Sequence, residues 1–125
     1  HEGEFLRVGG NLSQGRTAAA EDFARRSGAV VVLKGPGTVV AGPDGRCRVN
    51  TTGNCGMAKG GSGDVLSGVV LALLGLGMDA FDACCCAVWL HGRAGDLAAQ
   101  EKGQWGMTPT DLLERLPQAL REVTE

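Results

Sequence analysis

The stretch Asn50 to Gly68, N-T-T-G-N-C-G-M-A-K-G-G-S-G-D-V-L-S-G, limits the possible folds of this chain more than any other. Gly56, Gly60, Gly61 and Gly63 crowd in front of a single carboxylate, Asp64, and an apolar run of helical length follows. A residue without a Cβ adopts positive φ without penalty and lets main-chain N–H groups approach a ligand closely. The first turn of a helix leaves its N–H groups unpaired, with partial positive charge. Glycines at the mouth of a helix therefore point to an anion site. Asp64, the only acidic residue between Asp44 and Asp79, would face whatever anion sits there. The same glycines could instead serve tight turns, with Asp64 as an ordinary first-turn acid, and spacing alone leaves both readings open. The frame is not a Walker A loop, because Lys59 precedes Gly60. Nor is it a dinucleotide fingerprint, since Leu66 stands where the third glycine belongs and a loop, not a strand, leads in.

Around this loop the chain reads as one α/β domain. Glycine accounts for 21 of 125 residues, against a usual share of ~7%, and falls mainly at breaks between periodic segments. Thr17 to Ser27 has helical periodicity, with Gly28 placed to end it. Ala29 to Leu33 is a continuous apolar run, as expected of a strand covered on both faces. Gly35-Pro36-Gly37 turns the chain into Thr38 to Ala41. Gly42-Pro43-Asp44-Gly45 then signals an antiparallel hairpin with Arg46 to Val49. Val65 to Leu76 is apolar all round and predicts a helix buried on most sides. Ala80 to Lys102 is a second long helix, in which Gly92 and Gly95 imply close packing against a neighbour, and Gly103 to Met107 is a loop. Thr108-Pro109-Thr110-Asp111 supplies an N-cap, an N1 proline and an acidic N3 for a last helix with Leu112, Leu113, Leu116, Leu120 and Val123 on its core side. His1 to Val8 shows no period of its own.

Charge and cysteine use exclude several classes of function. Lys and Arg total 12 and Asp and Glu 14, a net −2 with no long run of either sign. Neither a nucleic-acid footprint nor a membrane-surface patch is favoured. The longest apolar stretch, Val65 to Met78, is 14 residues, short of the ~20 that span a bilayer. No signal peptide is read, since acidic residues follow His1. Cys47, Cys55, Cys84, Cys85 and Cys86 have no C-x-x-C spacing, and three in a row on a helix point about 100° apart, so they cannot converge on one metal. They read as small buried hydrophobes in a reducing, cytoplasmic setting. With two histidines, His1 and His91, hydrolytic triads and zinc sites are poorly supported. His91, in an apolar helix, reads as a packing histidine, and Trp89 and Trp105 as core and loop-packing residues. His1 either orients a substrate or is disordered. Lys34 ends a strand where ligands of open α/β sheets sit, and would meet phosphate as a point charge or stay solvated.

Taken together, these segments resemble one family. The glycine stretch is similar to the N-P-T-G-N-x-G-M-A-T-G-G-T-G-D-V-L-S/T-G signature of the ADP/ATP-dependent NAD(P)H-hydrate dehydratases of the ribokinase-like superfamily. H-E-G-E-F resembles the family's H-P-G-E-M/F, V-V-L-K-G-P-G-T its V-L-K-G-x-x-T, and W-L-H-G-R-A-G-D its Y-L-H-G-x-A-G-D. Glu2 and Thr51 stand in place of prolines, and Lys59 and Ser62 in place of threonines. Ser62 keeps the hydroxyl.

The resemblance implies a ribokinase-like α/β fold in which residues 1–125 form the C-terminal half of one catalytic domain, with buried strands and a β-hairpin packed against helices. It implies repair of hydrated NADH or NADPH, NADHX and NADPHX, by nucleotide-dependent phosphorylation of the ring hydroxyl and loss of phosphate. ADP or ATP would be the co-substrate and Mg²⁺ its companion, with no metal ligand readable in the chain. Carried over, Asp64 is the catalytic base, and His1 and Asp64 meet the hydrated nicotinamide. Lys34, Gly35, Pro36, Gly37, Thr38 and Gly63 meet the nucleotide, while Gly61, Ser62 and Gly63 form the anion hole through backbone N–H groups. A homo-oligomer, and an NAD(P)HX epimerase as partner or fused domain, are implied as well. Two alternatives stay open: a small-molecule kinase of the same superfamily acting on a vitamin-precursor alcohol, which the N-x-T-G-N and H-x-G-E segments argue against, and a nucleotide-binding fragment without turnover.

Overall fold

A three-stranded antiparallel sheet, ordered β1 (Val31–Leu33), β2 (Val39–Ala41) and β3 (Cys47–Val49), carries the rest of the molecule. The computed structural model describes every residue from His1 to Glu125. The expected hairpin joins β2 to β3. Gly42 N–H donates to the Arg46 carbonyl at 2.8 Å, and Val40 pairs with Arg48. The Lys34–Thr38 turn does the same for β1 and β2, pairing Val32 with Val40. Side chains of β2 alternate between faces, as the period of two requires. Val39 and Ala41 join Leu33, Phe5, Ala19, Ala20 and Ala24 on one side, and Val40 joins Leu66, Phe81, Cys84, Ala87 and Val88 on the other. The result is helix, sheet, helix in three layers. The α1 helix (Glu2–Arg7) and α2 (Arg16–Ser27) lie on the first face, α3 (Ser62–Gly75) and α4 (Ala80–Gly106) on the second, and α5 (Pro109–Thr124) packs against α4 through Leu90, Ala94, Leu97, Leu112 and Ala119.

The helix ends carry the signals read from sequence. Gly28 closes α2 in the left-handed region at φ 71°. Thr108 and Asp111 form a reciprocal capping box at the start of α5, with Pro109 in the first turn. Gly103, at φ 74°, breaks α4 at the position expected to begin a loop. No helix is long and apolar enough to cross a membrane.

Several expectations fail, mostly because fewer elements surround these segments than their apolar character suggests. In α3 only Ser62 and Leu66 are buried, while Leu71 and Leu76 are 71% and 80% exposed. Helices α4 and α5 cover one side of α3, and nothing covers the other. The strand expected over Ala29–Leu33 is shorter and half-buried at Val31 and Val32, because β1 is an edge strand. The strand covered on both faces is β2. On α5, Leu113, Leu120 and Val123 face solvent, and the true seam is Leu112, Leu116 and Ala119. Trp105 is 98% exposed beside the break at Gly103, and Cys55 and Cys86 are exposed, so neither the second tryptophan nor all the cysteines pack inside. His1 is ordered. Its Nδ1 accepts from Gly3 N–H at 3.0 Å and caps α1, which sets Phe5 against Phe23 with ring centres 5.3 Å apart.

The phase of α5 can be tested. Leu112→Ala, at a fully buried position, should cost roughly 2–5 kcal/mol, whereas Leu113→Ala should change stability by less than about 0.5 kcal/mol. Urea denaturation of both variants decides, and equal losses would mean that the seam is misplaced.

Candidate active site

The loop from Asn50 to Met57 lies along α4, and small residues make that approach possible. A Cβ on Gly92 would collide with Thr52 Oγ1 and lie 2.7 Å from the Thr52 carbonyl carbon. One on Gly95 would collide with the Met57 sulfur. Gly56 is equally hemmed in, with the Gln104 carbonyl oxygen 2.6 Å from where its Cβ would be. Polar bonds then fix the loop. Asn50 Nδ2 donates to the Val88 carbonyl at 3.1 Å and Thr52 Oγ1 to the Trp89 carbonyl at 2.9 Å. Asp96, one helical turn beyond Gly92, accepts from Gly53 N–H and from Asn54 Nδ2, both at 3.0 Å. Asn54 Oδ1 in turn accepts from Gly56 N–H at 2.9 Å and caps the short 3-10 turn Cys55–Met57. The H-G-R-A-G-D segment of α4 is thus a clamp for the N-T-T-G-N loop.

Past that clamp the chain delivers the glycines to the start of α3. Gly61 sits at φ 100°, which favours glycine, and Ser62 begins the helix. The Ser62 amide donates to the Lys59 carbonyl at 3.2 Å, so it is not one of the free donors the sequence suggested. The amides of Gly60, Gly61, Gly63 and Asp64 find no acceptor in the chain. Four unpaired donors at a helix N-terminus make a cradle of the kind that suits an anion. Lys59, where the resemblance has threonine, wraps away from it. Its ammonium donates to the carbonyls of Gln104, Trp105 and Met107 and so satisfies the C-terminal end of α4.

His91 braces the cradle from beneath. Its buried Nε2 lies 2.9 Å from the Ser62 carbonyl, an arrangement that places the ring hydrogen on Nε2. Burial pushes the His91 pKa below its ordinary value; the Ser62 bond opposes that shift and the charge of Lys34 adds to it. The packing role read from sequence therefore holds, at a position that also touches the site.

Opposite the cradle stands the turn between β1 and β2. Lys34 reaches over Gly63, where a Cβ would lie 3.3 Å from Nζ, and lies 3.7 Å from the Glu4 carboxylate. Thr38 Oγ1 donates to the Gly35 carbonyl and closes the turn. A cleft of about 780 Å³ lies between turn and cradle, lined by His1, Lys34 to Thr38, Asn50 to Cys55, Lys59, Ser62, Gly63 and His91 among others. That volume suits a nucleotide-sized ligand. His1, Lys34, Gly35, Pro36, Gly37, Thr38, Ser62 and Gly63 are thereby brought together, whereas Gly61 and Asp64 do not line the cleft. The Asp64 side chain is exposed on the first turn of α3 and bonds to no other residue. No three His, Cys, Asp or Glu side chains gather as a metal site. Sequence reasoning did not assign roles to Asn50, Thr52 and Asp96, although all three lie in the motifs it quoted. Arg16, which holds the Lys34–Thr38 turn, had no such signal.

A pH experiment follows from His91. At neutral pH the imidazole is uncharged both folded and unfolded. As pH falls below about 6.5, the unfolded chain takes up a proton that the buried ring resists, so stability must fall. Urea midpoints measured between pH 7 and pH 5 should decline in the wild type and decline less in His91→Gln. Parallel profiles would show that the ring is not buried as described.

A family profile described as NAD(P)H-hydrate dehydratase matches residues 1–118. A bifunctional NAD(P)H-hydrate repair enzyme from Thermofilum pendens is 47% identical over 129 residues, covering 100% of this chain and 25% of its own length. The ADP-dependent (S)-NAD(P)H-hydrate dehydratase of Bacillus subtilis is 40% identical over 121 residues, covering 94% of this chain and 44% of its own. The crystal structure of the Bacillus subtilis ADP/ATP-dependent NAD(P)H-hydrate dehydratase, co-crystallised with ATP/Mg²⁺, superposes with a TM-score of 0.92 at 38% identity, over 98% of this chain and 46% of that one. The chain therefore spans about a quarter of the bifunctional relatives and just under half of the solved dehydratase.

Proposed function

The chain belongs to the NAD(P)H-hydrate dehydratase family, and on that premise we propose that it contributes the phosphoryl-transfer side of an enzyme that restores hydrated NADH and NADPH at the expense of ADP or ATP. The observation that carries this reading is the pairing across one cleft of a strand-end lysine and turn with unpaired amides at the start of α3. Phosphate groups of an adenine nucleotide would span the two, with Lys34 as a point charge beside Gly63. The amides of Gly61, Gly63 and Asp64 would stabilise negative charge on the transferring phosphoryl group.

Asp64 is the proposed base. Unpaired and exposed at the start of α3, its carboxylate would accept the ring-hydroxyl proton as that oxygen attacks phosphorus, and the nucleotide would leave with one phosphate fewer. The carbon–oxygen bond of the phosphorylated ring then breaks. Phosphate departs, a proton leaves the neighbouring carbon, and the ring double bond returns. His1 lines the same cleft and is the proposed contact for the hydrated nicotinamide. Magnesium would enter with the nucleotide phosphates. The residues present form no cage for a metal, and no step is assigned to the ion.

Residues 1–125 are, on this reading, the C-terminal half of one ribokinase-like domain. The uncovered apolar side of α3 supports that division and also favours a second reading, in which this stretch binds nucleotide without turning over alone. A cytoplasmic setting suits five unpaired thiols. Homo-oligomers, and an NAD(P)HX epimerase fused or in partnership, complete the proposal; the bifunctional names of several relatives are compatible with a second activity in the same chain.

Incubation with NADH hydrate plus ADP or ATP, following the return of reduced-nicotinamide absorbance, tests it. Recovery is expected from a gene product that contains these residues, and its absence there would sink the dehydratase reading. In the same assay Asp64→Asn should lower kcat by about 100-fold or more, with nucleotide affinity changed little. Undiminished turnover would remove Asp64 from its role.

A further inference from the structure

The Lys34–Thr38 turn is held from behind by Arg16, the first residue of α2. Its guanidinium lies under the end of β1. Nη2 donates to the Leu33 carbonyl at 2.9 Å, and Nη1 donates to the Pro36 carbonyl at 2.6 Å and more weakly to that of Gly37 at 3.4 Å. From α1, Glu2 Oε1 comes within 3.1 Å of Nε as an ion pair, out of line for a hydrogen bond, so the buried Nε–H has no acceptor. A Cβ on Gly35 would sit 2.8 Å from Nη2, which explains why glycine lets the main chain settle onto this group. Arg16 is not among the residues that line the cleft.

These contacts sort the polar groups of the turn. Carbonyls at 33, 36 and 37 are drawn to the guanidinium, and Gly35 N–H meets Thr38 Oγ1 at 3.3 Å. The amides of Gly37 and Thr38 are left with no acceptor in the chain. A turn that keeps its carbonyls occupied and its amides free is electropositive toward a ligand, and the guanidinium presents its donors in a rigid planar fork that a flexible ammonium stem does not reproduce along these three carbonyls.

We propose that Arg16 is a positioning residue for the nucleotide, fixing the turn in its binding conformation from the side away from the cleft. The inference rests on the nucleotide reading of the turn. It also ties the two ends of the site together, because Glu2 belongs to the helix that His1 caps.

The test compares Arg16→Lys, Arg16→Met and, as a control on the same helix, Arg25→Met, whose side chain pairs only with Asp22. ADP affinity is measured by calorimetry, and amide hydrogen exchange is followed in the ligand-free chain. Both Arg16 variants should weaken ADP binding by about tenfold or more, the loss expected when charge-assisted bonds go. Exchange at Gly35 should accelerate while amides of α5 are unchanged, and the control should match the wild type in both. Lysine keeps the charge and most of the volume, so it should fold even where methionine does not, and it should fail to rescue. Wild-type ADP affinity in Arg16→Lys would overturn the proposal. If the wild type itself binds no ADP, the nucleotide reading fails, and Gly35 exchange then decides on its own: unchanged exchange in Arg16→Lys overturns the positioning role.

Discussion

The close approach of the Asn50–Met57 loop to α4 is the contact on which the site depends. It exists because Gly92 and Gly95 leave no Cβ where Thr52 and Met57 must pass. Once the loop is that near, α4 carbonyls at Val88 and Trp89 become reachable by Asn50 and Thr52, and Asp96 can take both Gly53 and Asn54. Three of these bonds are part-buried and one is exposed, and together they tie the loop to the helix at both ends. The loop then has one path, and that path ends at Gly61 with the amides of α3 turned outward. Packing geometry at one helix thus sets the electrostatics at the start of another.

The same economy of partners operates on both walls of the cleft. On one, the Ser62 amide and carbonyl are occupied by Lys59 and His91, which leaves the neighbouring amides as the donors. On the other, Arg16 occupies carbonyls and leaves the amides of Gly37 and Thr38. Lys34 stands between the walls and is the one side-chain cation set beside Gly63. Lys59, though adjacent in sequence to the glycines, is spent on the end of α4, so its nearness in the chain says little about its chemistry. Asp64, exposed on the first turn of α3, has no side-chain partner.

Much of this was legible in the chain. The hairpin at Gly42–Gly45, the cap at Thr108, the break at Gly103 and the glycine pair of α4 are local rules, and local rules survive whatever surrounds them. Burial was harder to read. The apolar character of Val65 to Leu76 forecast a covered helix, yet Leu71 and Leu76 are open because a sequence records what a face prefers and not what stands opposite. The site residues split in the same way. Lys34 to Thr38, Ser62 and Gly63 converge on one cleft as motif reasoning expected, but the role of Asp96 depends on a partner 43 residues away, and Arg16 acts on a turn 20 residues downstream. Neither link leaves a spacing to detect.

If one anion-binding cleft joins the amides at the start of α3 to the turn after β1, both segments must respond together to the same ligand. Titrating ADP into isotopically labelled protein, with amide shifts followed residue by residue, tests it most directly. The largest saturable shifts should fall on Gly61, Gly63 and Asp64 and on Gly35, Gly37 and Thr38 together. Shifts absent from both segments, or confined to the apolar groove between β3, α4 and the end of α5, would contradict the account.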